Sequence, residues 1–128
     1  MHYDGRKGRA GALEFAEEWI AAWNSHDLNR ILSHYSGNFE MTSPFIAKLC
    51  NEPSGRLKGR NKVGEYWRKS LTRMPDLRFE LLDVIAGASS LTIYYKSVLN
   101  LSATEVLFFD EQGKVFKAAA HYNELLQL

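Results

Sequence analysis

The sequence predicts an α+β domain whose helices come first and whose strands follow as an antiparallel meander. Three observations predict it. Apolar residues recur at helical spacing in three segments before Pro75. Runs of β-branched and aromatic residues, separated by turn formers, follow it. Strands and helices do not alternate as a parallel sheet requires. At 128 residues and 45% hydrophobic, the chain can bury one core without disulfides or a structural metal.

Residues 1–11 read as a flexible tail, polar and basic, without the apolar run of a signal peptide, and one domain is expected over 12–128. Over 12–23, Leu13, Phe15, Ala16, Trp19, Ile20 and Trp23 recur on one side of a helix, while Glu14, Glu17 and Glu18 suit its positive end. Asn24-Ser25-His26-Asp27 is a stop followed by an N-cap, with Asp27 opening a second helix that runs to about Tyr35. Ser36-Gly37-Asn38 ends it, a short strand over 39–42 leads to Pro44, and the turn formers of 51–55 make a loop. The third helix covers 60–73, with Val63, Tyr66, Trp67, Leu71 and Met74 on one side, until Pro75-Asp76 stops it. Strands are expected over 77–86, 91–99 and 104–109, and a hairpin loop at 110–114 leads to the last, 115–123.

Lys and Arg number 16 against 15 Asp and Glu, and the resulting charge of +1 offers no field to draw nucleic acid or a membrane surface. The single cysteine, Cys50, is a half-buried filler that permits no internal disulfide, so a reducing, cytoplasmic setting is expected. No stretch approaches the roughly 18 apolar residues of a membrane span. The histidines lack metal-ligand spacing, and Gly5, Gly8 and Gly11 precede the first helix with no strand before them, so neither a metal nor a nucleotide cofactor is expected. Arg56, Lys58, Arg60, Lys62, Arg68, Lys69 and Arg73 form a basic sector, read as a solvated face or as a rim that draws a carboxylated ligand or an acidic surface.

Trp19-Ile20-Ala21-Ala22-Trp23-Asn24-Ser25-His26-Asp27-Leu28, residues 59–71, Met74-Pro75-Asp76-Leu77 and Phe108-Phe109-Asp110-Glu111-Gln112-Gly113-Lys114-Val115 occur in one order and spacing. Together they resemble the nuclear transport factor 2-like superfamily, and within it the SnoaL-like polyketide cyclases and the ketosteroid isomerases, over roughly residues 12 to 123. The resemblance implies a cone-shaped α+β roll, also called cystatin-like, in which a curved antiparallel or mixed sheet wraps the N-terminal helices. It also implies an apolar pocket at the wide end. Long strands apolar on both faces need cover on both sides, so a homodimer through the outer sheet face is expected.

The resemblance also assigns site positions. The proton-abstracting carboxylate of ketosteroid isomerases falls on Ser43, which cannot take a proton from carbon unaided. The tyrosine donor becomes Trp19, whose indole N–H can still give one hydrogen bond. Its supporting tyrosines become Trp67 and the retained Tyr35. The protonated acid falls on Glu105, on one strand face with Leu107 and Phe109, where desolvation would raise its pKa. A solvated or salt-bridged strand glutamate is the alternative. The acid–base residues of SnoaL-like cyclases fall on Ala118 and Ala120, with Tyr122 on the same face and Lys117, Ala119 and His121 on the other, unless a one-residue bulge brings His121 inside as a base. Of the remaining histidines, His34 reads as a rim or surface residue, His26 as part of a capping turn and His2 as tail. Trp23 and Tyr66 read as core.

The candidate site is therefore Glu105 as acid, with Trp19, Tyr35, Ser43, Trp67, Leu107, Ala118, Ala120 and Tyr122 around a small apolar organic ligand. The implied function is small-molecule binding, as a cofactor-free cyclase or isomerase acting on a carbonyl compound. A non-catalytic carrier or a protein-interaction module is the alternative.

Overall fold

The computed structural model of the chain describes Tyr3 and residues 8–124. Helices and a six-stranded, mixed, curled sheet give the α+β architecture that the element order predicts. Helix α1, Gly8–Ser25, buries Phe15, Ala16, Trp19, Ile20 and Trp23 along its stripe. It begins four residues before the expected start, so part of the expected tail is helix, while Leu13 turns outward. Two contacts explain the early start. The Arg9 guanidinium donates to the Val84 carbonyl at 2.6 Å and to Asp83 at 3.1 Å, tying the first turn to the sheet. Tyr3 also packs on Phe109 at 4.5 Å and on Phe15 at 6.0 Å. Residues 1, 2 and 4–7, His2 among them, lie outside the described residues.

Asp27 caps α2, Leu28–Leu32, accepting the Arg30 amide at 3.2 Å. The helix stops short of Tyr35, because Ser33 folds its hydroxyl back on the Arg30 carbonyl and Tyr35 already pairs with Val115. Strand β1 therefore spans Tyr35–Thr42, and the Ser36-Gly37-Asn38 turn signal is a register shift within it rather than a break. His34, expected at the surface, is buried beside the Phe15 ring at 5.4 Å, since the residue entering a central strand is covered by α1.

Two elements have no counterpart in the sequence reading. Ser43 accepts the Phe45 amide at 3.2 Å and Pro44 occupies the first turn, which starts the short helix α3, Pro44–Leu49. Strand β2, Arg56–Lys58, then pairs antiparallel with β1. Gly55 makes that return possible: it sits at φ 70°, and a Cβ there would lie 3.1 Å from the Ser43 carbonyl oxygen.

Helix α4, Arg60–Arg73, packs on β1 and α2 through Val63, Gly64, Trp67 and Leu71. Strands β3 (Glu80–Ala86), β4 (Ser90–Lys96), β5 (Ser102–Phe109) and β6 (Val115–Tyr122) form the meander, with strand order β2-β1-β6-β5-β4-β3 and only β1–β6 parallel. β4 ends earlier than expected because the 3₁₀ turn Val98–Asn100 reverses the chain, with Leu99 and Asn100 in left-handed backbone. Asn24 ties the end of α1 to the start of the meander, donating to the Phe79 carbonyl at 3.0 Å and accepting its amide at 2.7 Å. No helix among the described residues is long and apolar enough to cross a membrane.

Candidate functional site

Alternation along β5 turns Ala103, Glu105, Leu107 and Phe109 inward, and the register sets Glu105 between Ile93 of β4 and Ala120 of β6. One row away, Ala103 lies between Tyr95 and Tyr122. The small residue between them leaves both phenols room to lean toward the carboxyl. Above this part of the sheet, bounded by α1 and α4, is a cavity of about 120 Å³. Its apolar walls include Trp19, Trp23, Trp67 and Phe79; its polar groups include Ser43, Tyr66, Tyr95, Tyr122 and Glu105. Leu49 and Leu99, both well exposed, also line it.

The aromatic walls hold one another in place. Trp19 lies nearly parallel to Phe79 at 5.9 Å and edge-on to Tyr95 at 5.2 Å, and Trp23 meets Trp67 edge-on at 5.1 Å. Such pairs favour offset or edge-to-face geometry and fix ring orientation. The Trp23 Nε1 is buried without a hydrogen-bond partner among the described residues.

Glu105 is 3% exposed, and its carboxyl has one protein hydrogen bond among the described residues, from Tyr95 Oη to Oε1 at 3.2 Å. Burial pushes its pKa up from 4.5 to about 8, and the Tyr95 bond opposes the shift only in part. No cation pairs with it among the described residues. Near neutral pH Glu105 is therefore mostly a neutral acid with a proton to donate. Burial, and secondly the Glu105 charge, also raise the phenols of Tyr35, Tyr95 and Tyr122, so these too remain protonated donors. The Tyr122 hydroxyl is adjacent to the Tyr95 and Ser43 side chains, which favour its ionised form slightly.

The structure brings Glu105, Trp19, Ser43, Trp67 and Tyr122 to the cavity wall. The other four predicted residues lie outside that wall. Tyr35 stands behind it, accepting the Trp19 Nε1 proton at 3.0 Å, which commits the indole N–H that the sequence reading left free for a ligand. Leu107, Ala118 and Ala120 are buried in the sheet core, Ala118 between Leu107 and Met41. They face inward as alternation requires, but the cavity lies further along the strands. His121 faces the other side with Lys117. Trp23 and Tyr66, read as core, also line the cavity. Sequence reasoning missed Tyr95 and Phe79. Tyr95 was within reach, because Leu91, Ile93 and Tyr95 alternate on one face and a short hairpin back to Glu105 would bring them together.

A family model described as SnoaL-like domain matches residues 16–122. Among solved structures, a SnoaL-like protein of unknown function from Burkholderia thailandensis is 45% identical, the alignment covering 97% of this chain and 100% of that one, with a TM-score of 0.89. A protein of unknown function with a cystatin-like fold from Methylobium petroleophilum is 16% identical, covering 94% and 80%, at a TM-score of 0.73. A Kribbella flavida protein assigned provisionally as a ketosteroid isomerase is 15% identical, covering 96% and 82%, at 0.69. The last two show likeness of fold alone. No curated protein matches the chain.

Proposed function

Because the chain belongs to the SnoaL-like domain family, we propose that it binds a small, mostly apolar organic molecule bearing an oxygen acceptor, and that neutral Glu105 donates a hydrogen bond to that oxygen. The observation that carries this reading is the buried carboxyl on the cavity wall, which among the described residues has no cation and one protein hydrogen bond. A buried group of that kind favours a partner with a lone pair, and a carbonyl or similar oxygen supplies one. Aromatic walls suit the apolar remainder. The cavity, about 120 Å³, is close to the engineered space of about 150 Å³ that holds benzene, so a single-ring compound fits it better than a fused polycycle.

Isomerase- or cyclase-like turnover requires a proton acceptor as well. The positions that supply one in related enzymes are Ser43, Ala118 and Ala120, so any proton shuttled would have to leave and return through Glu105. Binding and carbonyl polarisation are therefore the core of the reading. A second copy of the chain is the proposed partner, docking on the outer sheet face where Ile85, Tyr94 and Phe108 are exposed; light scattering that finds only monomer at all concentrations refutes this.

Acetophenone and ethylbenzene, alike in size and differing in the carbonyl, test the site by calorimetry and tryptophan fluorescence. The wild type should prefer the ketone by about tenfold, a preference that Glu105→Met abolishes and that fades as pH rises through about 8. Binding of neither compound, or an undiminished preference in the variant, refutes the reading. Exchange of the ketone methyl protons in D₂O, faster with wild type than with Glu105→Gln, would add catalysis to binding.

A further inference from the structure

Outside the cavity, between α4 and the α3–β2 segment, runs a wider groove of about 920 Å³. It shares four wall residues with the cavity, Leu49, Tyr66, Ser70 and Met74. At 3.6 residues per turn, Tyr66 and Ser70 form one ridge of α4, four residues apart, which the C-cap residue Met74 extends, with Trp67 turned to the cavity on one side. On the other side Lys62, Lys69 and Arg73 line the groove. The same helix thus carries part of the aromatic wall of the cavity, a seam shared by both compartments, and a row of cations.

The charges in that groove do not cancel. Glu65 is its acidic residue, and it is engaged bidentately by Arg68 at 2.7 and 3.0 Å, with Lys69 only at 4.0 Å. Asn51 and Asn61 add neutral amide donors to the lining. Glu105 pairs with no cation at the inner end among the described residues. The two compartments therefore differ in kind: the inner one suits a neutral ring with an oxygen acceptor, the outer one an anion.

We propose that the two compartments are one bipartite site, taking an amphiphilic carboxylate whose ring lies in the cavity and whose carboxylate rests over Lys69 and Arg73, with Lys62 adding to the positive field further along the groove. This rests on the cavity reading above and extends it from a ring-sized ligand to a ring carrying an anionic chain. Each exposed cation contributes modestly, but Lys69 and Arg73 are four residues apart on α4 and can both reach one carboxylate, while Lys62, two turns before Lys69, adds longer-range attraction. They also draw the ligand to the mouth before the ring enters.

The test uses acetophenones bearing a para alkyl chain of graded length, ending in a carboxylate or in an alcohol. Affinities are measured by calorimetry at low and high salt, with the wild type and with the triple variant Lys62→Gln, Lys69→Gln, Arg73→Gln. All three positions are exposed, so the fold should survive, which circular dichroism checks. At the best length and low salt, the acid should bind about tenfold tighter than its alcohol. The margin should shrink as salt rises and vanish in the triple variant, while alcohol binding stays unchanged. If acid and alcohol bind alike, or the margin persists in the triple variant, the bipartite site is overturned and the cavity reading stands. If no member of the series binds, both are overturned.

Discussion

Glu105 makes the stability of this protein fall as pH rises, opposite to the usual behaviour of carboxylates. In the folded chain its carboxyl keeps its proton up to about pH 8, whereas an unperturbed one releases it near 4.5. Between those values the native state binds more protons than the unfolded state. The contribution is fully present below about 4.5 and is lost as pH climbs through about 8, at about 1.4 kcal/mol per unit. From pH 5 to pH 9 the loss reaches about 4 kcal/mol, a large share of the 5 to 15 kcal/mol, roughly, that holds a domain folded. Urea unfolding followed by tryptophan fluorescence at half-unit pH steps should show the midpoint dropping by roughly 2 M. Glu18, Glu65 and Asp83, held low by their hydrogen bonds, and His34, held low by burial, act at the acid end with the opposite sign. The comparison with Glu105→Gln removes them: the amide keeps the Tyr95 contact but cannot ionise. The variant should match the wild type near pH 5 and exceed it by about 4 kcal/mol at pH 9. Parallel stability curves across this range would refute both the burial and the neutral-acid assignment.

Leu107→Ala, which empties a fully buried position beside Ala118, should cost about 2–5 kcal/mol in urea unfolding. Asp27→Ala removes the α2 cap and should cost about 1 kcal/mol, with Asp27→Asn recovering most of it. Ala120→Asp places a second carboxyl directly across from Glu105; it should destabilise by roughly 3 kcal/mol at pH 8 and less at pH 5, where both groups hold protons. Equal cost at the two pH values would show that the carboxyls do not interact.

The sequence disclosed what rests on periodicity, and concealed what rests on contacts between distant segments. Strand alternation, taken with the family resemblance, turned Glu105 inward and His121 outward, because a one-residue slip would have reversed the whole strand. The N-cap at Asp27 was legible because its mechanism is local. The start of α1 was not, since it depends on Arg9 reaching Val84 and Asp83 seventy-odd positions away. The turn signal at Gly37-Asn38 was read as an end because a register shift inside a strand uses the same residue types as a turn. For the site, facing inward proved weaker than lining the cavity. Leu107, Ala118 and Ala120 have the right parity but sit where the sheet is closed over by packing, and Tyr35 is screened by Trp19. Position along the strand, which parity cannot report, decides between core and pocket.

The absence of bases and the neutrality of Glu105 have one physical origin. A carboxyl stays protonated near pH 7 only if nothing nearby stabilises its charge, and a carboxylate base close by would raise its pKa further while having its own pushed up. Ala120 pairs directly with Glu105, at a separation where two acids would share one proton rather than divide the roles of acid and base. With alanine there and the Ser43 hydroxyl accepting the Phe45 amide, the cavity keeps Glu105 as its one carboxyl among the described residues, set among hydrogen-bond donors. Donors without an opposing base stabilise an oxygen that gains negative charge but do not remove a proton from carbon. Such a site can hold and polarise a ligand at neutral pH, and it gains a base only when Glu105 itself ionises. Any turnover should therefore rise as pH approaches 8, while binding to an oxygen acceptor weakens over the same range. Opposed pH profiles of binding and rate identify one carboxyl acting in both roles, and parallel profiles exclude it.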